Sequence, residues 1–166
     1  MIEYPLLLVF PVAMTCAAAF DLLTMTIPNK ISIALMIAFF VVAPLVGLSW
    51  SAIGIHATTG AAVLVLGFAL FAGGYMGGGD AKLLAAASLW LGHESLLNYF
   101  LAIGALGGVL SLAILGLRRI PDAYIPSLDW VQRLHSKSSG IPYGLAIGGA
   151  ALMLYPHTQW FTALMS

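Results

Sequence analysis

Long apolar stretches separated by short polar segments make up most of the chain. Lys, Arg, Asp and Glu are absent from residues 4–20, 31–79 and 138–166, and Glu94 is the only such residue within 83–117. A helix that crosses a bilayer needs about 20 mostly apolar residues. The pattern therefore predicts an all-α, polytopic membrane protein. We expect about six transmembrane helices, near residues 4–23, 30–48, 53–73, 81–92, 95–117 and 141–163, with the short fourth one tilted or partly interfacial.

The composition agrees with this pattern. Hydrophobic residues make up 61% of the chain and charged residues 7%, whereas an ordinary soluble domain carries about 25% charged residues. We expect residues 1–166 to form one membrane-embedded domain with a cytoplasmic amphipathic linker at about 118–140. In that linker Leu128, Val131 and Leu134 would share the apolar face of a short helix.

The basic residues predict an orientation. Threading the six predicted helices through a bilayer places every Lys and Arg on one side, and the positive-inside tendency makes that side cytoplasmic. Both termini and Glu94 would then lie outside. We expect a multi-pass protein of the bacterial inner membrane. The residues that carry this prediction are Lys30, Lys82, Arg118, Arg119, Arg133 and Lys137.

Asp21 and Asp80 are the acidic residues predicted to lie in or beside the membrane on the cytoplasmic half. Asp21 comes seven residues before Pro28, so it would lie about 10 Å inside the first helix if that helix continued to Pro28. An ionisable group there is a candidate functional residue, although it could instead extend to the lipid headgroups or pair with Lys30. Asp80 could simply cap a helix. Two predicted helices separate the two residues, which returns them to the same membrane face.

Two neighbouring carboxyl groups cannot both ionise cheaply, so they tend to share a proton. Aspartic peptidases use this arrangement: one carboxylate takes a proton from water while its protonated partner hydrogen-bonds the scissile carbonyl. Five glycines within residues 73–79 would let an extended substrate approach Asp80 closely. A flexible loop without a substrate is the alternative. Lys82 would anchor the cytoplasmic end and could also tune Asp80.

Other chemistries lack a pattern in this sequence. The four histidines are spread over different predicted helices and sides, so we expect no metal site, and we expect no cofactor. Cys16 is the only cysteine, which excludes an intramolecular disulfide, and we expect it to be a buried packing residue. Motifs of serine hydrolases, zinc hydrolases and phosphate-binding loops are absent.

Three segments together resemble the type IV prepilin peptidases, a family of Gly-x-Gly-Asp aspartic peptidases. They are Asp21 with Ile27-Pro28-Asn29, the run Gly77 to Leu83, and Ile141-Pro142-Tyr143-Gly144. The resemblance implies a polytopic helical fold that removes a short basic leader from prepilins, after a glycine, at the cytoplasmic face. It implies the catalytic pair Asp21 and Asp80. Supporting or substrate-binding residues would be Gly77, Gly78, Gly79, Lys82, Pro28, Asn29, Pro142 and Tyr143.

The chain lacks the cysteine-rich insertion of the larger members, which also methylate the new N-terminus. It resembles the short form found with tight-adherence (Flp) pili, for which methylation is not expected. Presenilin-like proteases share Gly-x-Gly-Asp, but their other elements are missing here.

Two alternatives from other classes remain open. A small proton-coupled transporter or channel subunit would use Asp21 and Asp80 to bind protons or ions, and a structural assembly subunit would leave Asp21 unexplained. The expected partners are a prepilin or pseudopilin precursor and the lipid bilayer, with no nucleic acid. A homodimer could form because Gly104/Gly108 and Gly144/Gly148 are small-residue pairs.

Overall fold

The computed structural model describes residues 3–158, and within them the chain is helical with no β-strand. Single 3₁₀ turns follow α4, precede α6 and follow α7. This confirms the all-α prediction. The helices are α1 (Glu3–Thr24), α2 (Asn29–Leu45), α3 (Trp50–Ala72), α4 (Gly78–Leu91), α5 (Leu96–Leu117), α6 (Asp129–His135) and α7 (Tyr143–Leu154).

The predicted count of six transmembrane helices is not confirmed. Within the described part of the chain, Trp50–Ala72 and His93–Leu117 are long and apolar enough to cross a bilayer. The apolar parts of the first two helices, Leu8–Thr24 and Asn29–Leu45, are shorter. The sixth predicted span is 141–163, and its end from residue 159 lies outside the described residues. Within its described part, the α-helix is α7 with 12 residues.

Helix α4 lies at the centre of the bundle, packed against α2, α3 and α7. Ala81 and every residue from Leu83 to Leu91 are buried. A helix that is apolar on all sides belongs in a core, and α4 occupies that position in the bundle. Its tilted or partly interfacial placement in a membrane stays a prediction. Its 14 residues extend about 21 Å, less than the hydrocarbon core of about 30 Å.

Trp90 joins α4 to its neighbours at the end of the bundle away from Asp80. Its ring centroid lies 5.4 Å from that of Phe10 on α1 and 5.9 Å from that of Phe39 on α2. The indole Nε1 donates a 2.9 Å hydrogen bond to the carbonyl oxygen of Leu35. Aromatic packing and this buried hydrogen bond therefore hold three helices together.

Glycines allow the closest helix contacts. A Cβ at Gly67 of α3 would lie 3.0 Å from the Cβ of Ala81 on α4, and one at Gly148 of α7 would lie 3.0 Å from the carbonyl oxygen of Met14 on α1. The second small-residue pair thus packs α7 on α1. At Gly104 and Gly108 of α5, an added Cβ would meet no described residue within 4 Å.

The linker between α5 and α7 is folded against the bundle. Arg118 donates hydrogen bonds of 2.9, 2.7 and 2.8 Å to the carbonyl oxygens of Leu134, Ser139 and Gly140. Arg133 of α6 donates to the carbonyl oxygen of Leu23 in the last turn of α1. The predicted helix forms, since α6 occupies Asp129–His135.

The predicted apolar face of that linker helix is only partly correct. Val131 and Leu134 are buried, but Leu128 precedes the helix and is 54% exposed. A further expectation also needs correction: Cys16 is exposed rather than buried, because it lies on the outer face of α1. Asn29 is the first helical residue of α2, and Pro28 is the residue before it.

We expect Trp90→Phe to lower the free energy of unfolding by about 2 kcal/mol, since it removes a buried hydrogen bond and leaves a cavity. Trp50→Phe is the matched control, because Trp50 is 80% exposed and Trp90 is fully buried. The measurement is thermal unfolding of the purified protein in detergent micelles. Equal loss of stability in both variants would contradict the central position of Trp90.

Candidate functional site

Asp21 lies in the last turn of α1, because the helix ends at Thr24 and does not continue to Pro28. The side chain is buried, with only 6% exposed. Its Oδ2 atom accepts a 2.7 Å hydrogen bond from the backbone N–H of Gly144, the second residue of α7. A helix N-terminus offers free N–H groups to an anion. Asp21 therefore joins the end of α1 to the start of α7, and Lys30 forms no ion pair with it among the described residues.

Asp80 is the third residue of α4, and Gly77 occupies the N-cap position. The Asp80 side chain turns back toward that cap: a Cβ at Gly77 would lie 2.9 Å from Asp80 Oδ2. Asp80 thus supports the first turn of its helix from within, rather than as the N-cap residue that its position before an apolar run suggests. Unlike Asp21, it is only partly buried.

Ile27 packs next to both acids. A Cβ at Gly79, which precedes Asp80, would be 3.2 Å from the Cβ of Ile27, and one at Gly144 would be 2.8 Å from Ile27 Cδ1 and from Asp21 Oδ2. The two carboxyl groups lie within electrostatic range of each other. The structure thus brings together two residues that are far apart in the sequence, as the return of the chain through two helices predicts.

A cavity of about 720 Å³ opens beside Asp80. Its walls are apolar side chains of α3, α4, α5 and α7 and the loop that precedes α4. Among the described residues that line it, Asp80 is the only charged one. The others are Leu66, Leu70, Gly74, Tyr75, Met76, Gly77, Leu84, Phe100, Ile103, Ile141, Tyr143 and Ile147.

The glycine-rich segment forms a loop and then begins α4. Gly74 adopts a φ of +75°, which favours glycine, and Gly77 lines the cavity. Gly78 and Gly79 are the first helical residues, and they pack against Phe71 and Ile27. The predicted supporting glycines therefore surround Asp80, but only Gly77 among Gly77, Gly78 and Gly79 faces the cavity.

The remaining predicted site residues hold helix ends. Lys82 Nζ donates a 3.0 Å hydrogen bond to Asn29 Oδ1, which ties the start of α4 to the start of α2. Lys82 makes no ion pair with Asp80 among the described residues. Pro142 is buried at the residue before α7, and Tyr143 begins that helix and lines the cavity.

A second cavity of about 160 Å³ lies at the opposite end of the bundle. Three histidines line it, although the sequence predicts that they lie on different helices and sides. His56, His93 and His157 line it together with Glu94. The His56 Nδ1 atom lies 2.7 Å from the carbonyl oxygen of Leu89, so this ring joins α3 to α4. No group of His, Cys, Asp or Glu among the described residues is placed to hold a metal ion.

Sequence reasoning missed two parts of the site. The backbone N–H of Gly144 holds Asp21, and Ile27 packs against Gly79 and Gly144, next to the two acids. Both residues belong to segments that the resemblance uses, Ile27-Pro28-Asn29 and Ile141-Pro142-Tyr143-Gly144. Only the folded chain reveals that these segments meet.

The arrangement is suited to proton transfer. One acid is buried and held by a helix N-terminus, while the other opens into a cavity. Two carboxyl groups within electrostatic reach of each other can hold one proton between them. Such a pair can take a proton from water and donate one to a carbonyl oxygen.

The family described as "Type IV leader peptidase family" matches residues 8–112 of the chain. The match covers more than half of the 166 residues and contains both acids. The chain belongs to the type IV leader peptidase family. Membership indicates a protease, of the aspartic type in this family, and favours the peptidase interpretation over a transporter. Together with the apolar helices it also indicates a membrane protein.

No curated protein and no solved structure matches the chain. The family match ends before α7, so the contact between Gly144 and Asp21 lies partly outside it. The structure therefore adds α7 to the part of the chain that holds the candidate site.

We expect Gly144→Ala to lower the rate of leader cleavage by about tenfold or more, because the added methyl would overlap Asp21 Oδ2 and displace the carboxylate. Gly149→Ala on the same helix is the control, since its Cβ would lie 3.4 Å from Leu106 Cδ1 in ordinary contact. The measurement is cleavage of a purified precursor by equal amounts of each variant. Equal rates for both variants would refute the contact.

Proposed function

We propose that this type IV leader peptidase is a membrane-embedded aspartic endopeptidase that removes the leader from Flp-type prepilins at the cytoplasmic face. The observation that carries the proposal is the meeting of Asp21 and Asp80 at one end of the bundle, with Asp80 open to an apolar cavity. Family membership supports the reaction class. The absence of a cysteine-rich insertion from the sequence supports the short, Flp-type form.

In the proposed reaction, Asp21 and Asp80 act as one unit. The ionised member of the pair takes a proton from water, the protonated member hydrogen-bonds the scissile carbonyl, and the developing oxyanion is stabilised by that hydrogen bond. The Gly144 N–H keeps one oxygen of Asp21 in place. Asp80, which lines the cavity, is the member of the pair nearer to a bound substrate.

The cavity supports the binding of an apolar part of the precursor. A volume of about 720 Å³ is large enough for several side chains, and its walls offer no charged partner other than Asp80 among the described residues. The loop at 73–77 borders this cavity, where its glycines would let an extended backbone approach Asp80. Pro28, Asn29, Lys82 and Pro142 support the site by fixing helix ends.

The proposed location is the bacterial inner membrane, with the two acids near the cytoplasm and lipid around the bundle. All six Lys and Arg residues lie on the predicted cytoplasmic side, which the positive-inside tendency favours. The exposed apolar side chains of α3 and α5, such as Val65 and Leu112, support contact with lipid acyl chains.

We expect Asp21→Asn and Asp80→Asn each to lower leader cleavage by about 10²-fold or more, because each removes a partner that the other needs. The double variant should be hardly slower than either single one, as for residues that act together. Asn is similar in size to Asp, so the variants should insert and accumulate. Cleavage is measured by the shift of a co-expressed precursor on a gel.

Glu94→Gln is the control for this experiment, since Glu94 is an acid at the opposite end of the bundle. It should cleave at the parent rate. If an Asp80→Asn protein that accumulates normally cleaves at the parent rate, the proposal of an aspartic pair is wrong. Asp80 would then only support its own helix.

The orientation yields a separate prediction. In a Cys16→Ala background, a cysteine at Glu94 should react with an impermeant thiol reagent in whole cells, and a cysteine at Ser138 should react only after the membrane is opened. Both positions are exposed, so reactivity reports the side of the membrane. Labelling of Ser138→Cys in intact cells would reverse the proposed orientation.

A further inference from the structure

Gly107 leaves a hollow on α5 that the ring of Tyr143 fills. An ideal Cβ at Gly107 would lie 2.7 Å from Tyr143 Cε1 and 3.4 Å from its Cζ. Any larger residue at position 107 must therefore push the ring away. One turn further along α5, Ser111 Oγ lies 3.5 Å from the Tyr143 hydroxyl and donates a 2.7 Å hydrogen bond to the Gly107 carbonyl.

The position of Tyr143 matters because of its neighbour in the chain. Tyr143 is the first residue of α7, and the next residue, Gly144, donates the hydrogen bond that holds Asp21. Because the two residues are adjacent, a displacement of Tyr143 that reaches its backbone also moves the Gly144 N–H. The hollow at Gly107 thus connects α5 to the carboxyl group of Asp21 through two adjacent residues.

We propose that Gly107 is a positioning residue for the proton-transferring pair: its missing side chain seats Tyr143, which sets the start of α7 and thereby the Gly144 N–H that orients Asp21. The inference rests on the proposed function, since it assigns a role in the same reaction. It concerns orientation rather than substrate binding. The turnover number should therefore change more than the Michaelis constant.

Three glycines of α5 provide a matched experiment. Gly104, Gly107 and Gly108 lie in the same helix, so alanine changes helix propensity in the same direction at each. Among the residues that the structure describes, only at Gly107 would the new methyl meet a neighbour within 4 Å. A difference between the Gly107 variant and the other two therefore reports the contact with Tyr143.

We expect Gly107→Ala to lower kcat for cleavage of a purified precursor by about tenfold or more with little change in KM, since small misplacements of reacting groups are costly. Gly104→Ala and Gly108→Ala should match the parent in both constants. Equal kcat values in all three variants would overturn the positioning role.

A thermal-stability cycle tests the contact independently of catalysis. Leucine lacks the Cε1 atom that a methyl at position 107 would meet, so Tyr143→Leu should remove the overlap. We expect Gly107→Ala to lower the unfolding temperature in the parent but not in the Tyr143→Leu background, where only the higher helix propensity of alanine remains. Equal shifts in the two backgrounds would contradict the proposed contact, whatever the activity of the Leu variant.

Failure of the proposed function and failure of the positioning role give different results. If the parent chain does not cleave a precursor, the proposed function falls and the positioning role falls with it. If the parent cleaves and Gly107→Ala cleaves equally well, only the positioning role is wrong.

Discussion

The burial of the Asp21 carboxyl group constrains the rest of the site. A carboxylate removed from water needs hydrogen-bond donors to compensate for its lost hydration. Here the donor is the Gly144 N–H at the free end of α7. The close approach is possible only because residue 144 lacks a side chain, since a Cβ there would lie 2.8 Å from the carboxyl oxygen. Two helix ends that are far apart in sequence are thereby held in contact.

This constraint explains why the linker is folded rather than loose. The start of α7 must lie against the end of α1, and two arginines hold the segment before α7 in place. Arg118 holds the carbonyls of Ser139 and Gly140 just before α7, and Arg133 satisfies a carbonyl oxygen at the end of α1. Arginine suits this work because its planar group donates several hydrogen bonds in fixed directions. The linker thus contributes to the geometry of the site without reaching Asp80.

The sequence predicts the helical class, the pairing of Asp21 with Asp80 and the presence of a linker helix, because these follow from apolar runs, chain return and an amphipathic pattern. It does not predict that α4 is the centre of the bundle. The apolar residues of a core helix and of a lipid-facing helix are the same, so a short run such as 81–92 is ambiguous. The packing of Gly67 against Ala81 decides the matter, and that pairing is a property of the folded chain. The sequence also does not predict that three histidines line the second cavity, because that contact exists only in the folded chain.

The two acids occupy different environments, and Asp80 is the one that borders the cavity. Asp21 is buried and faces a helix terminus, whereas Asp80 borders a large apolar cavity. In the proposed reaction, a substrate that enters the cavity would meet Asp80 first. It would also remove water from a surface that is already apolar, which would strengthen the electrostatic interaction between the acids. In the proposed reaction, filling the cavity would therefore do more than hold the precursor. It would prepare the pair of carboxyl groups for proton transfer at the bond that lies beside Asp80.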